Sequence, residues 1–144
     1  MVPSSKHGKD THGRGEQTVR FGVVADVQYA ARPAAGGRCY ADAATALRGC
    51  VAYMNQQRPS FVIQLGDLID GGDHPEAELH TILAIYGELA VPAYHVLGNH
   101  DFIGLDRATV MSRLGMEAAY YAFDEGRWRF VVLDTQEVAI QGGW

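Results

Sequence analysis

Acidic, amide and imidazole side chains are grouped in three short segments of this sequence, each directly after an apolar run. The first is Asp26-Val27-Gln28, the second spans residues 66–71 (GDLIDG) and the third spans residues 98–101 (GNHD). Carboxylate and amide oxygens are hard ligands that favour Mn²⁺ and Mg²⁺, and imidazole widens the choice. A shared carboxylate can bridge two cations at roughly 3.5–4 Å, which suits phosphoester hydrolysis. If the three segments lie together, they predict a two-cation hydrolytic site.

Each segment taken alone also has an ordinary structural interpretation. Asp26 could cap a turn, Gln28 could be a plain loop residue, and residues 66–71 could place aspartates as caps of the next turn. Residues 98–101 could form a polar turn. The occurrence of all three segments, in order and on successive strand ends, favours the functional interpretation over these alternatives.

The stretches between the three segments predict the framework that positions them. Short apolar runs end at Asp26, Asp67 and Asn99, and two stretches with helical spacing, residues 40–57 and 74–90, separate these runs. A strand-helix-strand-helix-strand order predicts an α/β fold with a parallel sheet and right-handed crossovers. The carboxyl ends of neighbouring parallel strands meet at one edge of the sheet, so we expect the polar segments to converge there.

Both ends of the chain differ from this core. Residues 105–115 predict a short helix, and residues 118–135 predict two strands joined by a hairpin turn at the sequence DEG. Residues 1–17 hold no large apolar residue after the second position and are predicted to be a flexible tail. Residues 18–144 are then expected to be one domain.

The composition and net charge limit the kinds of molecule that the chain is expected to bind. The chain has 144 residues, of which 47% are hydrophobic and 20% charged, as in a globular domain. A formal net charge of −5 argues against nonspecific nucleic-acid binding, whereas a bound cation can still attract a small phosphorylated substrate. Two cysteines are too few for a disulfide framework, which predicts a cytoplasmic location. No apolar run reaches the roughly 18 residues of a membrane span, so no membrane partner is expected.

The three segments together resemble the signature of the calcineurin-like metallophosphoesterases, D-x-H, G-D-x-x-D and G-N-H-[DE]. Here they read DVQ, GDLID and GNHD, with glutamine in place of the first histidine. With this glutamine, the three stretches FGVVADVQYA, VIQLGDLIDG and GNHDF together resemble the manganese-dependent ADP-ribose/CDP-alcohol diphosphatases. The resemblance runs from about Val19 to Trp144. It implies the family's four-layer αββα sandwich, here roughly its first half, with a βαβαβ core and a β-hairpin.

The resemblance also implies a set of cation ligands. Asp26 and Gln28 would bind the first cation, Asp67 would bridge both, and Asn99 would bind the second. The implied cofactors are two divalent cations, Mn²⁺ first, with Mg²⁺ or iron as alternatives. A neutral amide oxygen at Gln28 would shift the first site toward Mn²⁺ or Mg²⁺ and away from zinc or iron.

Further side chains receive roles from the same resemblance. His100 would contact the scissile phosphate, and either stabilise the transition state or protonate the leaving group. Asp101 would orient His100, and Asp70 would brace the loop of the bridging carboxylate. In the glycine-rich loop after the first segment, Arg38 could pair with a phosphate and Tyr40 could stack on a base or ribose, although Arg38 could equally be a solvated loop cation.

The implied activity is hydrolysis of a pyrophosphate bond in a nucleoside diphosphate conjugate such as ADP-ribose or a CDP-alcohol. Cyclic nucleotide phosphodiesterase, phosphomonoesterase and noncatalytic metal binding are alternatives. The second half of the family signature, with histidines in GH and G-H-x-H loops, does not occur in this sequence. We therefore expect the chain to be the N-terminal part of a longer enzyme; a complete chain that oligomerises or has lost catalysis is the alternative.

Overall fold

A computed structural model describes residues 18–136 of the protein, in which three strands form one parallel sheet in the order β1-β2-β3. Helix α1 connects β1 to β2 and helix α2 connects β2 to β3, which confirms the predicted βαβαβ order. The bounds are β1 Gly22–Val24, α1 Asp42–Gln57, β2 Val62–Gln64, α2 Pro75–Tyr86 and β3 Ala93–His95. The predicted tail, residues 1–17, lies outside the described residues.

The strands are shorter than the apolar runs that predict them. The backbone φ is 54° at Asp26 and 56° at Asp67, in the left-handed region that an extended strand cannot contain. The ladder ends just before these turns, with Leu65 N–H donating to Val24 O over 2.9 Å and Val96 N–H donating to Gln64 O over 2.8 Å. Each strand therefore gives way directly to a loop that carries polar side chains.

Both helices pack on one face of the sheet. Their apolar residues recur at three- and four-residue spacing, which puts them on one side of each helix. Gly22 allows α1 to lie close to β1, because a Cβ there would come within 2.7 Å of the Met54 sulfur. The main buried core consists of Ala44, Leu47, Val51, Leu68, Ile69, Leu79, Ile82, Ile85, Tyr86, Leu97, Val110 and Leu114. Within residues 18–136 no helix is long and apolar enough to cross a membrane.

The second face of the sheet is covered by the predicted hairpin. Because side chains alternate along a strand, Tyr94 faces away from the helices, and its ring stacks on Phe123 with centroids 3.5 Å apart. Phe61 makes an edge-to-face contact with Phe130 at 4.9 Å. The hairpin follows a single 3-10 turn and a third helix; the bounds are His100–Phe102 for the turn, α3 Arg107–Leu114, β4 Tyr121–Glu125 and β5 Trp128–Val132.

A tyrosine hydroxyl closes the outer edge of β3. The hydroxyl of Tyr121 accepts a hydrogen bond from His95 N–H over 2.9 Å and donates one to His95 O over 2.8 Å. An unpaired strand edge otherwise offers these groups to another strand. The side chain thus satisfies the backbone where the sheet ends.

The His95 side chain makes the stability of the protein pH-dependent. The ring lies edge-to-face on Tyr86, and burial lowers the pKa of His95 from 6.5 to about 4. Below about pH 6.5 the unfolded chain therefore binds a proton on the His95 imidazole, whereas the folded chain does so only near pH 4. The free energy of unfolding therefore falls as the pH drops between these values. We expect the free energy of unfolding to be about 2 kcal/mol lower at pH 5 than at pH 7 through this group, as measured by urea titration.

His95→Gln should remove most of this pH dependence. The matched control is His80→Gln, because His80 is exposed on α2 and its replacement should leave the pH dependence unchanged. An equal pH dependence in the wild type and in the His95 variant would contradict the assignment to His95.

Candidate metal centre

The three predicted polar segments meet at the carboxyl edge of the sheet. The N–H of Asp26 donates to Gly66 O over 3.3 Å, and the N–H of Gln28 donates to Asp67 O over 2.9 Å. The N–H of His100 donates to the Asp67 carboxylate, Oδ1, over 3.0 Å. The ends of all three strands are therefore joined directly by hydrogen bonds, with Asp67 in the middle.

The backbone is strained at three of the predicted cation ligands. Among residues 18–136, the non-glycine residues with left-handed φ are Asp26 at 54°, Gln28 at 45°, Asp67 at 56° and Arg58 at 48°. Arg58 merely ends helix α1. Such conformations cost about 1–3 kcal/mol each and cluster at active sites and ligand sites. The strain therefore coincides with the residues that the sequence assigns to cation binding.

Two glycines allow the corners after β2 and β3 to touch. A Cβ on Gly98 would overlap the N and Oδ1 atoms of Asp67. A Cβ on Gly66 would lie 2.7 Å from the Gly98 Cα, and Gly66 also has a φ of 94°. Only glycine fits this contact, which brings the Asp67 carboxylate against the turn that begins at Asn99.

The donor chemistry of these residues fits hard divalent cations. Asp26 and Asn99 are exposed, Asp67 is half-buried, and the Gln28 amide lies 3.4 Å from the Asp67 carboxylate. In the part of the chain that the structure describes, no three His, Cys, Asp or Glu side chains are grouped as a metal site. A cation bound here would thus depend on the amide oxygens of Gln28 and Asn99 as well as on the two carboxylates.

The Gln28 amide oxygen already has a partner in this structure. Arg38 Nη1 donates to Gln28 Oε1 over 2.9 Å. Arg38 is the loop cation that the sequence pairs with phosphate, and the structure brings it to the edge of the cluster. A cation that binds Gln28 through this oxygen has to share it with Arg38 or displace the guanidinium.

Asp101 does not play the predicted role. Its carboxylate is fully buried, at 0% exposure, and accepts three backbone hydrogen bonds, from Leu68 N–H over 2.7 Å, Gly98 N–H over 2.9 Å and Asp67 N–H over 3.1 Å. Burial raises the pKa of Asp101, and the hydrogen bonds oppose that rise. The prediction that Asp101 orients His100 is therefore wrong, because Asp101 instead braces the loop of Asp67.

Asp70 is the carboxylate beside His100. The Oδ1 atom of Asp70 lies 3.3 Å from Nδ1 of His100, and the Asp70 side chain is 6% exposed. Both atoms are buried, and within residues 18–136 neither has a hydrogen-bond partner, so the contact is a close approach of the two groups and not a formed hydrogen bond. The structure thus places Asp101, and not Asp70, against the loop of Asp67, and places Asp70, and not Asp101, beside His100.

Arg32 is a member of the cluster that the sequence did not reveal. Its Nη2 pairs with Oδ2 of Asp70, and its guanidinium lies 4.0 Å from the centre of the Tyr40 ring. Arg38 approaches the same carboxylate at 3.7 Å. One face of the Tyr40 ring is therefore covered by a cation, and stacking on a base stays a prediction for the other face.

Comparison with known proteins agrees with this arrangement. The family model described as calcineurin-like phosphoesterase matches residues 19–143. The chain belongs to the calcineurin-like phosphoesterase family. As the sequence predicts, this phosphoesterase chain has a parallel sheet whose strands are followed by polar residues.

Two relatives of this phosphoesterase chain, from different organisms, have the same name. It is 34% identical over 141 residues to a manganese-dependent ADP-ribose/CDP-alcohol diphosphatase of Oryza sativa, covering 88% of this chain and 44% of that protein. The protein of that name from Danio rerio is 30% identical over 149 residues, covering 85% and 46%. The chain thus spans about half the length of these relatives.

Solved structures show the same fold. A dimetal phosphatase from Danio rerio superposes with a TM-score of 0.72 at 32% identity, covering 82% of this chain and 44% of that one. A purple acid phosphatase from yellow lupin, at 17% identity, superposes with a TM-score of 0.62 and covers 86% of this chain and 25% of its own. The lupin protein shows likeness of fold alone.

Proposed function

We propose that this protein is a metal-dependent hydrolase that splits the pyrophosphate bond of small nucleoside diphosphate conjugates such as ADP-ribose or CDP-alcohols. The observation that carries the proposal is the convergence of Asp26, Gln28, Asp67 and Asn99 at one sheet edge beside His100, with a strained backbone at the first three. The names of the rice and zebrafish relatives support this substrate class.

Two divalent cations, Mn²⁺ by preference, would be held by these four residues. Asp26 and Gln28 would serve the first cation, Asn99 the second, and Asp67 both. Bound divalent cations polarise phosphoryl oxygens and lower the pKa of bound water. The carboxylate and amide oxygens present suit Mn²⁺ or Mg²⁺ better than a thiophilic metal.

The other polar residues of the cluster handle the substrate. His100 lies at the edge of the cation ligands, with the Asp70 carboxylate 3.3 Å from its Nδ1, so Asp70 would orient the ring. His100 can then stabilise charge on the phosphate or donate a proton to the leaving-group oxygen. Arg38, whose side chain is 58% exposed, would pair with a substrate phosphate.

The proposed setting is a reducing compartment such as the cytoplasm. Cys39 is exposed, Cys50 is partly buried, and both are free thiols. Free thiols persist where glutathione and thioredoxin keep cysteine reduced. A small phosphorylated nucleotide is the proposed partner, in keeping with the net charge of −5, which disfavours nucleic acid.

Calorimetric titration with Mn²⁺ and a comparison of four substrates test the proposed function. We expect the chain to bind Mn²⁺ and to hydrolyse ADP-ribose and CDP-choline faster than cyclic AMP or an aryl phosphate. Chelation of the cation with EDTA should abolish turnover and readdition of Mn²⁺ should restore it. Faster cleavage of cyclic AMP or the aryl phosphate would instead support the alternative phosphoesterase activities. Mn²⁺ binding without turnover of any of the four would leave a noncatalytic metal-binding protein.

A further inference from the structure

Glu78 is a buried carboxylate that contacts two separate loops. It lies in the first turn of α2 and is 3% exposed. Its Oε1 accepts the N–H of Ala31 over 2.9 Å, and its Oε2 accepts the N–H of Gly72 over 3.0 Å. Ala31 follows β1 and Gly72 follows β2, so one side chain ties together the loops that leave two neighbouring strands.

The fit around Glu78 is close. A Cβ on Gly72 would overlap the Glu78 carboxylate, so a larger residue there would force that carboxylate to shift. The position of Glu78 in the first helical turn also favours negative charge, because the helix dipole is positive at that end. The two backbone hydrogen bonds and the helix dipole therefore hold the Glu78 carboxylate in place.

The loops that Glu78 joins carry the Arg32–Asp70 pair. Arg32 is adjacent to Ala31, and Asp70 lies two residues before Gly72. Up to Asp70 the loops run side by side, with Asp70 N–H donating to Tyr29 O over 3.0 Å. Beyond that point, Glu78 and the Arg32–Asp70 contact hold them together, and the Arg32 side chain is 40% exposed.

We propose that Glu78 is a positioning residue for the Asp70–His100 pair. By fixing the backbone next to Arg32, Glu78 keeps the guanidinium on Oδ2 of Asp70. The other oxygen, Oδ1, then stays turned toward Nδ1 of His100, at 3.3 Å. Only the consequence for turnover rests on the proposed function; the effect on Arg32 does not.

The test compares Glu78→Gln with the control Glu76→Gln. Glu76 lies in the same helical turn but is exposed and pairs with Arg113 at the surface. In the metal-free wild type, a held guanidinium should give Arg32 separate Nη resonances in ¹⁵N NMR spectra. We expect these signals to merge in Glu78→Gln and to stay separate in Glu76→Gln.

Kinetics and metal binding supply the second readout. Glu78 contacts none of the predicted ligands, so Mn²⁺ affinity should be unchanged in Glu78→Gln. The kcat for ADP-ribose should fall by up to about 10²-fold, because misplacement of a catalytic group by about 1 Å has effects of that size. Combining Glu78→Gln with Arg32→Gln should lower kcat no further than Arg32→Gln alone, since both changes act through the same contact.

Several outcomes would overturn the proposal. Separate Arg32 signals in Glu78→Gln, equal merging in Glu76→Gln, or additive losses of kcat in the double variant would each do so. If Glu78→Gln does not fold, Glu78→Asp takes its place, because its shorter side chain keeps the charge but cannot reach both amides. If the wild type turns over no phosphoester, the proposed function fails, while the NMR comparison still decides the role of Glu78.

Discussion

Replacing His100 by glutamine is expected to lower kcat for ADP-ribose hydrolysis by roughly 10²- to 10⁴-fold, the range for loss of a general acid or base. Mn²⁺ affinity should stay at the wild-type value, because His100 approaches the ligand Asp67 through its backbone N–H, at 3.0 Å, which glutamine retains. Steady-state kinetics at saturating Mn²⁺, with calorimetry of Mn²⁺ binding, measure both quantities. Loss of Mn²⁺ binding in this variant would instead identify the imidazole as a cation ligand.

The Asp70→Asn variant tests whether the Asp70 carboxylate orients the His100 ring. Asparagine keeps the shape but removes the charge 3.3 Å from Nδ1, so kcat should fall, by less than in the His100 variant. Asp73→Asn is the matched control, because Asp73 is exposed on the same loop and should be replaceable without effect. An Asp70→Asn protein with wild-type kcat would contradict the orienting role of Asp70.

Replacing Asp101 by alanine is expected to reduce the free energy of unfolding by about 3 kcal/mol or more. The change leaves the N–H groups of Asp67, Leu68 and Gly98 without their acceptor, and each buried unpaired group costs about 1–3 kcal/mol. Urea-induced unfolding followed by circular dichroism measures the loss. Mn²⁺ should also bind less tightly, because these hydrogen bonds set the path of the backbone at Asp67.

Asp106→Ala serves as the comparison for this stability measurement. Asp106 caps helix α3 at the surface through one hydrogen bond to Thr109 N–H, at 2.7 Å. Loss of such a cap costs about 1 kcal/mol. If Asp101→Ala were no more destabilising than Asp106→Ala, the bracing role of Asp101 would be wrong.

The positions of the site residues along the chain could be predicted because they follow from local patterns. Apolar runs and helical spacing gave the order of strands and helices, and parallel strands necessarily bring their carboxyl ends to one edge. Asp26, Gln28 and Asp67 therefore came together as expected, joined by backbone hydrogen bonds. The hairpin was likewise readable, because Gly126 occupies a turn position with a φ of 58°.

The direction of each side chain could not be predicted in the same way. Asp70 and Asp101 each lie close to a predicted ligand in sequence, and spacing shows which strand end they follow but not where they point. The left-handed backbone at Asp67 and the 3-10 turn at His100 turn Asp101 beneath the loop and Asp70 toward the imidazole. These reversals depend on contacts between the corners, which no single segment specifies.

Arg32 and Glu78 escaped prediction for a related reason. The partner of Arg32 is 38 residues away, and the Ala31 amide that Glu78 accepts is 47 residues away. No local pattern marks either residue, since an arginine in a glycine-rich loop and a glutamate in a first helical turn both have ordinary explanations. A contact of this kind becomes visible only after the loops have been placed.

Asp26, Gln28 and Asp67 have left-handed backbone conformations, so the residues that offer oxygen donors to a cation also lower the thermal stability of the fold. Glycine adopts such conformations without steric penalty, so glycine at each of these positions would have less backbone strain than the residue that is present. Directed evolution that selects only for folding at high temperature would therefore favour glycine at these positions. The side-chain oxygen donors would be lost, while the buried core would not change. A selection that also required cation binding would be expected to retain these three side chains.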